Sequence, residues 1–121
     1  MRRYEGVCDQ ISNGKSDFKR LDVVQLVKHA FGLRTEAQRR GKLPCLVYLY
    51  AEPATWSDGR AVDSIKIKQH QAEVVTFAEA IDGDEVGFVP MSYRMLLDHL
   101  VSEGGKDVCM HANAVWQHFA P

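Results

Sequence analysis

No stretch of this 121-residue sequence approaches the roughly eighteen consecutive apolar residues that a membrane-spanning helix needs. No charged-then-apolar leader opens it either. Neither a membrane span nor a signal peptide is therefore expected. Cysteine is scarce: Cys8, Cys45 and Cys109 are widely spaced, odd in number and without CxxC spacing. That pattern excludes a disulfide framework and reads as reduced core thiols of a cytoplasmic protein. The nearest approach to a zinc set is Cys109-x-His111 with His118, which lacks the close spacing such a site uses. Internal repeats and low-complexity segments are absent. Net charge is also nearly absent, at −1, which argues against indiscriminate nucleic-acid binding.

What is present is enough apolar residue, 45%, to build a core for one globular domain spanning 1–121. The charge that cancels overall is unevenly placed. Residues 1–42 hold ten Lys/Arg against five Asp/Glu, and residues 43–121 hold five against eleven. The basic third carries Arg2, Arg3, Arg34, Arg39, Arg40 and Lys42, which suit phosphate contacts and suit a plain solvated surface equally.

Residues 7–11 alternate as a strand, Ser12-Asn13-Gly14 turns, and residues 15–21 return as a second strand. The turn leaves two registers open. A two-residue Asn13-Gly14 turn pairs Ser12 with Lys15 and puts Asp9 and Asp17 on opposite faces. A three-residue loop with Gly14 in the left-handed region pairs Ile11 with Lys15, so that Asp9 faces Asp17 with Lys19 alongside. Facing carboxylates repel unless a cation lies between them, so the second register reads as a hard-metal site and the first as an ordinary hairpin.

Further along, Asp22 caps a helix carrying Val23, Leu26, Val27 and Ala30, which Gly32 stops. Thr35-x-x-Gln38 resembles a capping box for a short helix ended by Gly41. Residues 43–50 form a continuous apolar run that suits a strand buried on both faces. A loop follows over 54–60 and contains Trp56, then an ambiguous segment 64–68 and a helix from Gln69 to Gly83. His70 and Glu73 share one side of that helix and read as an exposed polar pair. Residues 85–89 make a short strand closed by Pro90. Ser92 caps a helix stopped at Gly104-Gly105, and a last helix starts at Asp107.

Asp9, then Asp17-Phe18-Lys19 on the next strand, then Gln25 and His29 on a helix, resembles the PD-(D/E)xK nuclease superfamily. That superfamily places an Asp on one strand, an (Asp/Glu)-x-Lys on the next, and in its exonuclease branch a Gln-x-x-x-Tyr on the following helix. The match covers roughly residues 4–50. His29 stands where the branch has Tyr, the gap from Asp9 to Asp17 is short, and the opening helix and first strand have no counterpart. The resemblance implies a restriction-endonuclease-like α/β fold: a small mixed sheet, made of an antiparallel hairpin and a strand–helix–strand crossover, flanked by helices. It also implies a chemistry. Asp9 and Asp17 hold Mg²⁺, the metal acidifies a water, and Lys19 orients that water beside the phosphate. Glu5 stands in for the missing helix carboxylate, and Gln25 and His29 face a groove or solvent, away from the helix's apolar stripe. The other reading of this trio is a polar hairpin face with an inexpensive Asp–Lys pair.

Two function classes follow. One is a metal-dependent phosphodiesterase on DNA or RNA, or a decayed remnant of one, meeting nucleic acid through the basic N-terminal third. The other is a non-catalytic, homodimeric interaction module on the same scaffold. A four-stranded sheet without the superfamily's opening elements leaves an edge or face uncovered, which a homodimer closes. The last helix, with Val108, Ala112, Val115, Trp116 and Phe119, either forms that contact or closes the core of its own chain.

Overall fold

Tyr4, Val7, Cys8 and Ile11 recur at i, i+3, i+4 and i+7, the spacing of one helical face. In the computed structural model, which describes all residues from Met1 to Pro121, they lie on a helix, α1 (Arg2–Ser12). This corrects the expected antiparallel hairpin. Val7 and Ile11, which also fit a period of two, belong to the helical stripe, Asp9 falls on its exposed side, and burying Tyr4 and Val7 together selects the helix. Gly14, with φ 67°, is left-handed, as the three-residue register would have it, but it terminates α1 and turns no hairpin.

Residues 14–22 then run as a loop into α2 (Val23–Arg40), where the Asp22 side chain accepts the Gln25 N–H at 3.0 Å. Helix α2 runs through Gly32 without a break. Apolar positions continue on the same stripe to Ala37, and Thr35 donates its hydroxyl back to the Phe31 carbonyl instead of capping a new helix. Gly41, at φ 62°, ends it in a Schellman motif, with Lys42 N–H donating to Ala37 O and Gly41 N–H to Gln38 O. Strand β1 (Cys45–Tyr50), helix α3 (Ser64–Ile81) and strand β2 (Gly87–Ser92) follow as a strand–helix–strand crossover. The two strands form a parallel two-stranded sheet, the only sheet of the chain. The fold is thus mixed α/β, with five helices and a smaller sheet than the sequence suggests.

The chain forms two compact units. The first comprises Met1–Tyr48 with Ser64–Pro90, the second Leu49–Asp63 with Met91–Pro121. In the first, α1 packs against α2 and α3, and Phe77 lies fully buried among Val27, Val74, Ile81 and Val86 in the core cluster. Tyr4 meets Phe77 edge-on at 6.0 Å and donates its hydroxyl to Val86 O at 2.9 Å. Phe88 meets Phe77 edge-on at 5.0 Å and stacks on Tyr48, so one face of the sheet closes the core.

In the second unit, Ser92 accepts the Met95 N–H to start α4 (Tyr93–Glu103), and Gly104-Gly105 lead into α5 (Lys106–Phe119). Only glycine fits at Gly104, because a Cβ there falls 2.3 Å from Leu100 O and 2.7 Å from Val108 Cγ1. Arg94 gathers this unit's ends. It donates to the carbonyls of Glu52 and Pro121 and lies 5.8 Å over the Trp116 ring. No helix is long and apolar enough to cross a membrane.

Candidate functional site

Helix α1 changes the geometry on which the metal reading depends. Glu5 and Asp9 sit on that helix, with Asp9 exposed, and no strand carries Asp17. Asp17 and Lys19 lie in the 14–22 loop, paired at 3.8 Å with side chains 75% and 71% exposed, a contact worth little. Gln25 and His29 lie on the exposed side of α2, as their angle from the apolar stripe requires. Asp17 and Lys19 are therefore brought together, and Asp9 belongs to a different element. No group of three His, Cys, Asp or Glu side chains converges in a way that could hold a metal ion, at Cys109, His111 and His118 included.

The loop bearing Asp17 and Lys19 is nevertheless well held. Glu73 reaches from α3 and accepts the backbone N–H groups of Lys19, Arg20 and Leu21, each at 2.8 Å. Gln69, one turn earlier, accepts from Arg20 Nε. Burial pushes the Glu73 carboxyl up, but the three amide donors together outweigh it and set it below its ordinary value. The loop walls an open groove of about 610 Å³ between Ile11 and Val24. Beside Glu73, the His70 Nε2 lies 2.8 Å from the Tyr48 hydroxyl, so neither residue of the supposed exposed pair is idle.

A second carboxylate does similar work at the start of the chain. Asp84 accepts the N–H groups of Arg3 and Tyr4 and so caps α1, whose own first residue supplies no side-chain cap. The Met1 ammonium contacts both Asp84 and Glu85, and Arg34 completes the cluster through Glu85. The ammonium and then the Arg34 guanidinium hold Glu85 below the ordinary carboxylate value.

No family model, curated protein or solved structure matches this chain. Its working surface has to be read from its own geometry.

That geometry is most unusual at the sheet. Residues 43–50 are composed like a strand buried on both faces, and parallel strands normally are buried on both. Here only one face is. Leu46, Tyr48 and Phe88 pack on the core, whereas Cys45 and Gly87 are exposed, Val47 is 52% exposed and Val89 39%. Cys45 and Gly87 are neighbours on this outer face, since a Cβ on Gly87 would sit 3.8 Å from Cys45 Sγ. Just before β1, Leu43 is 98% exposed. Next to it, Leu33, Ala37 and Pro44 line a shallow groove of about 320 Å³ with Glu36, Arg40 and Lys42 on its rim. Isolated apolar residues on a surface are ordinary, and this set along paired strands makes the outer sheet face a candidate contact surface.

Three features escaped the sequence. Glu73 and Asp84 act on amides more than fifty residues away, which no local pattern encodes. The bare face was half visible, because the apolar run was legible and the absence of a second covering layer was not.

Proposed function

We propose that this chain is a non-catalytic interaction module whose working surface is the outer face of its two-stranded sheet together with Leu43. One observation carries the reading: a strand with the composition of two-sided burial, β1, is covered on one side only. The face holds no titratable constellation suited to acid, base or nucleophilic chemistry. It offers Leu43, Val47 and Val89 around an exposed Cys45. Such a surface recognises shape and apolarity, and its natural ligand is the apolar surface of another protein.

A photo-crosslinking side chain at position 47 tests this. Irradiation in the native cell extract should give discrete adducts, and the same group at Lys15, outside the face, should give none. A position-47 chain that remains uncrosslinked would contradict the reading.

The metal-dependent phosphodiesterase is the second reading, favoured by the Asp17–Lys19 pair on the wall of the large groove and by the basic N-terminal third. It requires plasmid nicking that depends on Mg²⁺ or Mn²⁺ and disappears in Asp17→Asn and Lys19→Ala. The interaction reading expects no metal-dependent nicking.

A further inference from the structure

The second compact unit has very little buried inside it. Every member of the core cluster, from Met1 and Tyr4 to Ile81 and Val86, belongs to the first unit, as do Phe18, Phe31 and Phe88 packed on it. In the second unit, Leu97 of α4 and Ala112 of α5 are the only buried apolar side chains. Tyr93, Met95, Val108, Met110 and Phe119 stay at its surface. Burial of apolar side chains is what holds a segment closed, so opening α4 and α5 takes far less free energy than opening α1, α2 and α3. One side chain gathers this thinly packed unit. Arg94, in the first turn of α4, donates from Nε to Pro121 O at 2.8 Å and from Nη2 to Glu52 O at 3.2 Å, and its guanidinium lies over the Trp116 ring of α5. The segment after β1, the start of α4 and the end of α5 therefore meet on a single residue.

We propose that the second unit opens as a separate step while the first stays folded, with Arg94 as the clasp that sets how readily it opens. Single domains below about 150 residues ordinarily unfold in one cooperative transition, so a chain of 121 residues that opens in parts departs from the rule. The first unit keeps its core through the step, because every residue of the cluster is its own. Segments that open at low free energy are those from which a second conformation is drawn. Here they are Leu49–Asp63 and Met91–Pro121. Opening leaves Leu43, Val47 and Val89 in place, since all three belong to the first unit, so the step is independent of the docking reading above.

Both tryptophans, Trp56 and Trp116, lie in the second unit, whereas most helical residues lie in α1, α2 and α3 of the first. Urea titrations of the whole chain, followed by tryptophan fluorescence and by far-ultraviolet circular dichroism, therefore read the two units separately. The fluorescence midpoint should come first, with the main dichroism transition at higher urea. In native-state amide exchange, α4 and α5 should open at least about tenfold more often than α3 around Phe77. Arg94→Ala removes two hydrogen bonds and a cation–π contact, and should speed exchange in α4 and α5 by a further factor of about ten while the Phe77 and Val27 amides keep the parent rate. Tyr4→Phe, which takes the donor from the Val86 carbonyl in the first unit, should do the reverse. It should lower the main dichroism transition and leave α4 and α5 exchanging as in the parent. Coincident fluorescence and dichroism curves, with α3 and α5 sharing one free energy of opening, would overturn the proposal. An Arg94→Ala chain in which α3 and α5 accelerate together, or in which α5 keeps the parent rate, overturns it as well.

Discussion

Replacing Glu73 by glutamine should destabilise the protein at neutral pH and leave it almost unaffected in acid. The carboxylate accepts three backbone N–H groups at 2.8 Å, and a glutamine offers those amides one oxygen and a competing NH₂ donor. Hydrogen bonds to a charged acceptor contribute about 1.5–3 kcal/mol each when buried. Here the Lys19 and Arg20 amides are at the surface, where water can take the acceptor's place, so about 0.5 kcal/mol per bond is more suitable, or about 1.5 kcal/mol in all. For a chain of this size that corresponds to a melting temperature lower by roughly 6 °C. The pH arm carries the mechanism. Glu73 titrates below its ordinary value of 4.5 in the folded chain, so its contribution is complete above that pH and is lost as pH falls through the lowered folded value. Parent and Glu73→Gln melting curves recorded from pH 7 to pH 3 should therefore be well separated at the top of the range and converge at the bottom. Other carboxylates titrate alike in both proteins and cancel in the difference. Equal melting temperatures at pH 7, or a gap that persists unchanged to pH 3, would refute the argument.

Asp84→Asn should cost about 1–2 kcal/mol by weakening the cap on α1, with hydrogen exchange rising first at Arg3 and Tyr4, whose amides it holds. Gly104→Ala forces a Cβ against Leu100 O and Val108, and should destabilise the second unit by about 1–3 kcal/mol, read as faster exchange in α4 and α5. Asp17→Asn and Lys19→Ala remove only an exposed pair at 3.8 Å and should each change stability by less than about 0.5 kcal/mol in chemical denaturation.

Elements whose signals are local were legible in the sequence. Asp22 and Ser92 cap α2 and α4 as their residue types suggest, Gly41 ends α2, and the apolar run before Tyr50 is a strand joined to the next by a helix. Errors arose where two periods overlap or where distant contacts decide. Val7 and Ile11 satisfy a period of two, and with Tyr4 and Cys8 they satisfy a helical period better. Five residues display only the shorter period, and the full eleven of α1 display the helical one. Gly32 looked like a stop because glycine is a poor helix former, but the stripe continuing through Ala37 outweighs that cost. Residues 64–68, with alternating Ile65 and Ile67, belong to the first turns of α3. The groove at the 14–22 loop depends on Glu73, and the open sheet face on the lack of further strands. Neither is written in any local stretch of residues.

Amide hydrogen exchange across β1, on the labelled chain alone and in the native cell extract, tests the central claim most directly. If the outer sheet face is a docking surface, the amides of Leu43 and of Cys45 through Val47 should gain protection in the extract, while those of α1 stay constant. Protection of β1 that is identical with and without the extract would contradict the account.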